Sequence, residues 1–163
     1  MTKRDTRNEI LISAKKLFYE KGYTNTYYKD ICEDAGINPG TLHYYFKSKE
    51  EIAGSVISEI SNNIDRRIKE IFPEMHIESQ RTLLNIIYYD LLYYNESFKR
   101  FYLEIGQTNI LCRYSIGMTI SYEKEYFDAY RARDDKRFIA PYAYMHSYLQ
   151  CGVLTAFLSG ELE

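Results

Sequence analysis

Residues 26–49 read TYYKDICEDAGINPGTLHYYFKSK. The stretch predicts two short helices joined by a tight turn. The first covers about Thr26 to Asp34, with Thr26 as its cap, and Ala35, Gly36 and Ile37 make the turn. Gly36 can adopt the positive φ that a helix stop requires. The second helix starts at Asn38 or Pro39 and ends near Phe46. Asn38 can accept from the orphan N–H groups of the first turn, and Pro39 sits where a missing N–H costs nothing. Two helices joined by a short Gly-containing turn form a helix-turn-helix, whose second helix enters the major groove of DNA.

Upstream, Ile10, Ala14, Leu17 and Phe18 recur at i, i+4, i+7 and i+8. That is one apolar face of a helix over 5–21, widened by Leu11 and closed by Gly22, with Tyr23 packing back on it. With Ile31, Ala35, Ile37, Leu42 and Phe46 it gives a three-helix head with its own core. Downstream, Ser48 and Glu51 have the spacing of a capping box, and Ile52, Val56, Ile60, Ile64, Ile68 and Ile71 extend a long helix to Pro73. Further helices are predicted over 79–94 (Leu84, Ile87, Leu91 and Tyr94 on one face), 98–106 after a cap at Ser97, 108–132 and 141–158. Residues 131–137 form a charged loop. No segment alternates with period two between turn signals. The expected fold is all-α: an N-terminal three-helix helix-turn-helix head (1–50), joined by a long helix to a C-terminal helical body (51–163).

Charge supports that division. Residues 1–50 hold nine Lys/Arg and seven Asp/Glu, while the remainder holds twelve and sixteen, within a net charge of −2. A basic head on an acidic body has the sign expected of DNA binding. No apolar run approaches the ~18 residues a membrane span needs. MTKRDTRNEI carries no apolar leader core, so no secretory signal is expected. Cys32, Cys112 and Cys151 are odd in number, far apart and in no CxxC pair, which suits a reducing compartment, the cytoplasm. His43, His76 and His146 have no metal-ligand spacing, so neither metal nor cofactor is expected.

Residues 10–52 resemble the tetracycline-repressor (TetR) family of bacterial transcription regulators. The matching pieces are Ile10…Ala14…Leu17-Phe18…Gly22-Tyr23…Thr26, then Ile31…Ala35-Gly36-Ile37, then Gly40-Thr41-Leu42…Tyr45-Phe46-Lys47-Ser48-Lys49-Glu50. The resemblance implies a homodimer with two DNA-reading heads on a palindromic operator, and helical bodies that take a small-molecule effector. It implies that Asn38, Pro39, Gly40 and Thr41 reach base edges or phosphates. Tyr44 and Tyr45 would reach phosphates, as would Lys49, and Thr26 the DNA backbone. His43 stands where the family most often has tyrosine, and as a phosphate contact it joins the set. Family members usually carry one more helix after the one placed at 141–158, so the dimer would use fewer or different helices, or the chain would continue beyond Glu163.

Helix N-termini do bind phosphate through free N–H groups and the dipole, and hydroxyls and lysines position a protein on DNA. The body holds most of the 18 tyrosines. Tyr88, Tyr102, Tyr122, Tyr126 and Tyr148 are candidates to line an aromatic pocket for a planar or cationic ligand. The expected function is that of a ligand-responsive regulator, a repressor. The alternatives are a helical small-molecule enzyme, for which no nucleophile, base or metal set can be assembled, and a helical interaction protein whose head does not meet DNA.

Overall fold

The computed structural model describes residues 3–106, 108, 110–111, 113–114, 120, 145, 152–156 and 158–160. Among these it contains six continuous helices: α1 (Lys3–Lys21), α2 (Tyr28–Ala35), α3 (Pro39–Tyr45), α4 (Lys49–Ile71), α5 (Ile77–Tyr94) and α6 (Glu96–Gly106). The described residues beyond α6 are helix or turn, and no strand occurs among the described residues. The helices predicted over 108–132 and 141–158, and the loop at 131–137, lie largely outside the described residues.

The punctuation of the head follows the sequence at α3 and departs from it at α2. Asn38 caps α3, its Oδ1 accepting from the Thr41 N–H at 2.8 Å, and Pro39 occupies the first helical position. Gly36 ends α2 at φ 64°, where the Ile37 N–H returns to the Cys32 carbonyl. The cap of α2 is Tyr27 and not Thr26. Asp30, three residues on, accepts the Tyr27 N–H at 2.7 Å. Thr26 is instead fully buried, and its hydroxyl donates to the carbonyls of Gly22 (2.7 Å) and Leu17 (3.3 Å). A threonine before a helix reads as a cap. Here the Gly22 carbonyl, just past α1, takes the hydroxyl, with the Leu17 carbonyl sharing it at longer range.

Ser48 caps α4 as expected, with the return bond of its box shifted by one residue, and the cap of α6 is shifted by two. Ser48 Oγ accepts from the Glu51 N–H at 3.1 Å, but the Glu51 carboxylate takes the Lys47 N–H (2.7 Å), not that of Ser48. Asn95, not Ser97, caps α6, accepting the Phe98 N–H at 2.9 Å.

One buried cluster runs from Ile10 on α1 through Ile31, Leu42 and Phe46 to Ile52, Val56 and Ile60 on α4. It continues through Leu92, Phe98, Phe101 and Ile105 to Leu111. At about 25 cal/mol per Å² of apolar surface this burial is the main favourable term. The core is thus continuous across residue 50: α4 packs on α1 and α5, and α6 packs on α1. Phe18 stacks on Phe101 with centroids 5.0 Å apart, and Tyr19 meets Phe98 at 6.0 Å. Two predicted faces are corrected. Ile71 lies outside the α4 stripe and is exposed. On α5, Gln80, Leu84 and Leu92 are buried while Ile87 and Tyr94 face outward.

Candidate nucleic-acid interface

Helix α3 is held by few side chains. Leu42 and the capping Phe46 are fully buried, and the Arg7 guanidinium lies 4.9 Å from the centre of the Phe46 ring. Most of the rest faces outward. Asn38, Pro39, Gly40, His43 and Tyr44 are exposed, while Thr41 and Tyr45 are half-buried. The bonds of Asn38 to Thr41 N–H and to its hydroxyl (3.2 Å) fix the first turn. Gly40 leaves the backbone of that turn uncovered, so a duplex can approach it closely. Tyr44 packs edge-on against Tyr45 at 5.2 Å, and His43 lies 5.1 Å from Tyr28 of α2. Lys47, passed over in the sequence reading, adds its exposed ammonium 3.0 Å from the His43 carbonyl. The signal for it was available: a lysine one turn beyond His43, just past the helix end.

The electrostatics suit a polyanion. Residues 35–49 contain no Asp or Glu. Two of the three carboxylates of α2 turn to α1, Asp34 to Lys16 at 2.5 Å and Asp30 to Lys21 at 3.6 Å. Both carboxyls sit below the usual range, Asp34 chiefly through Lys16 and Asp30 chiefly through the Tyr27 N–H. α3 and Lys47 just past it thus present hydroxyls and an ammonium, and no carboxylate of their own, on this side of the head.

Two expected contacts are corrected. Thr26 presents no side chain to a ligand, since its hydroxyl is spent on α1. Lys49 is turned inward. Its ammonium donates to the carbonyls of Tyr23 (3.0 Å) and Thr26 (3.1 Å) and lies 4.2 Å above the Tyr23 ring. Burial pushes its pKa below the ordinary lysine value, against the opposing charges of Glu50 and Glu104. The Tyr23 phenol beneath it is pushed up to about 12, by burial first and by Glu50 second. Lys49 is thus a clamp on the α1–α2 loop.

The predicted ligand tyrosines divide. Tyr102 is buried in the α5–α6 core, and Tyr88 is half-buried there, edge-on to Phe98 (5.5 Å) and Tyr102 (6.0 Å). Both pack among other rings. Tyr122, Tyr126 and Tyr148 lie outside the described residues. An open cleft of about 550 Å³ beside the start of α4 is lined instead by Ser48, Glu50, Glu51, Thr108, Arg113 and Tyr114, with Ile110. Among the described residues no helix is long and apolar enough to cross a membrane.

Comparison with known proteins places this geometry. Residues 10–56 match the family model described as bacterial regulatory proteins, tetR family. The HTH-type transcriptional regulator UidR of Escherichia coli K12 is 34% identical over 71 residues, 44% of this chain and 36% of UidR. The HTH-type transcriptional repressor KstR2 of Mycolicibacterium smegmatis is 34% identical over 65 residues, 40% of this chain and 32% of KstR2. The chain thus spans about a third of the length of these curated relatives. In fold, the crystal structure of a TetR-family transcriptional regulator from Pectobacterium atrosepticum superposes with a TM-score of 0.57 at 16% identity, over 99% of this chain and 87% of that one. The head, residues 10–56, thus matches the tetR family of bacterial regulatory proteins, and the fold around it is similar to that of a solved TetR-family regulator.

Proposed function

We propose that this chain is a DNA-binding transcriptional regulator, a repressor that leaves a palindromic operator when a small molecule binds its helical body. The observation that carries the reading is α3: two buried anchors, a capped first turn, and an outward face of Asn38, Pro39, Gly40, His43 and Tyr44 without a carboxylate. A helix so weakly embedded has its outward face to offer to a partner, and a duplex groove fits it. Asn38 and Thr41 contact base edges or phosphates. His43, Tyr44, Tyr45 and Lys47 contact phosphates and set the register. Thr26 and Lys49 hold the helix pair in place.

Residues 1–50 are the DNA-reading unit and 51–163 the effector-binding and dimerising unit. Two chains bind half-sites about 34–36 Å apart or a multiple of that. The operator places the protein in the bacterial cytoplasm. The effector must favour the state that does not fit the operator, or nothing moves.

The test is selection from a random-sequence duplex pool by the full chain at low salt, followed by a salt titration. The expected result is an enriched inverted repeat, with affinity falling steeply toward physiological salt. No retention of any duplex at low salt would overturn the reading and favour a helical interaction protein.

A further inference from the structure

The loop from Gly22 to Thr26, which delivers the chain into α2, is gripped by two helices outside it. From α6, Glu104 Oε2 accepts the Thr24 N–H at 2.7 Å across 80 residues of sequence. Gly22, at φ 85°, lets the carboxylate in: a Cβ there would lie 2.5 Å from Glu104 Oε1. One turn earlier on α6, a single Arg100 nitrogen donates to the carbonyls of Tyr19 (2.6 Å) and Glu20 (3.1 Å). These belong to the last turn of α1, whose carbonyls have no helical donor. From α4, the Lys49 ammonium holds the Tyr23 and Thr26 carbonyls.

The loop peptide is therefore fixed by an anion on its N–H side and a cation on its C=O side, each group satisfying its opposite. Charge-assisted hydrogen bonds are the stronger kind. Residues 100 and 104 are i and i+4, so they share one face of α6. Phe101, between them in sequence, stacks on Phe18 and leaves α6 little room to slide. From the loop the path to the candidate interface is short: Tyr27 caps α2, and Tyr28 beside it packs on His43 of α3.

We infer that Glu104, together with Arg100, is a positioning residue through which α6 sets the placement of the helix pair that reads DNA. The inference rests on the DNA-binding reading above for its functional half only. A displacement of α6 takes the carboxylate off the Thr24 N–H and frees the lead-in to α2.

The experiment compares the full chain with Glu104→Ala and Glu104→Gln. It reads amide hydrogen exchange at Thr24 and in the first turn of α2. It also reads affinity for a duplex that the unaltered chain selects from a random pool. Glu104→Ala is expected to speed exchange at these amides about tenfold and to weaken DNA binding about fivefold, while the melting temperature stays within a few degrees. Glu104→Gln keeps an acceptor oxygen and recovers most of both. Unchanged exchange in Glu104→Ala overturns the inference, and so does faster exchange with unaltered affinity. If the unaltered chain selects no duplex, the DNA reading falls. Exchange in α2 then decides by itself whether Glu104 positions the helix pair, with unaltered α2 exchange overturning that too.

Discussion

Helices α3 and α6 are both short and both capped by an asparagine, Asn38 and Asn95, yet they use their surfaces in opposite ways. α6 buries Phe98, Phe101, Tyr102 and Ile105 and spends Arg100 and Glu104 on the backbone of the head. α3 buries Leu42, is closed by the buried Phe46, and leaves most of its first turn, His43 and Tyr44 exposed. The core explains every turn of α6. It explains only the placement of α3, whose outward side chains lie beyond it.

The contrast breaks most sharply in the core. Phe101→Ala removes the ring stacked on Phe18 and should cost about 3–5 kcal/mol in a denaturant melt. Tyr44→Ala, at 62% exposure, should change stability by about 0.5 kcal/mol or less. Equal costs would mean that α3 is packed as α6 is. Lys49→Ala comes next. Loss of two charge-assisted bonds should cost about 1–2 kcal/mol of stability, with the salt slope of DNA binding unchanged. A slope reduced by about 1 would restore Lys49 as a phosphate contact.

Asn38→Ala and Asn95→Ala should each cost about 1 kcal/mol, since each removes one cap. Only Asn38→Ala should weaken duplex binding beyond that stability loss, which a paired melt and titration would separate. The smallest effect concerns pH. The Asp30 carboxyl is held below its ordinary value by the Tyr27 N–H. Its contribution is therefore present above about pH 4, the unfolded carboxyl's range, and is lost as pH falls through the lower folded value. Asp30→Asn should make the acid limb of the stability profile shallower, and an unaltered limb would assign that limb to other carboxylates.

Local signals made the head legible. The Asn38-Pro39 start, the Gly36 stop, the Ser48 cap and the spacing of Ile10, Ala14, Leu17 and Phe18 all act within a few residues, and all appear in the structure. Thr26 and Lys49 were misread because their partners are not local. The Thr26 hydroxyl answers the end of α1, and the Lys49 ammonium meets a loop 23 to 26 residues earlier. Glu104 was invisible as a loop anchor for the same reason. Tyr88 and Tyr102 show a different limit: a ring that lines a pocket and a ring that fills a core have the same helical spacing. On α5 the face was assigned partly to Ile87 and Tyr94, because an apolar helix rich in tyrosine offers more than one stripe that satisfies a 3.6-residue period.

The central claim is that the outward face of α3 lies against DNA. A photo-crosslinking amino acid placed at Tyr44, or at the similarly exposed Tyr93 of α5 (62% and 68%), tests it most directly on a selected duplex. Crosslinks to DNA from position 44 and none from position 93 are the expected result. Equal yields from both, or none from position 44 while the duplex is bound, would contradict it.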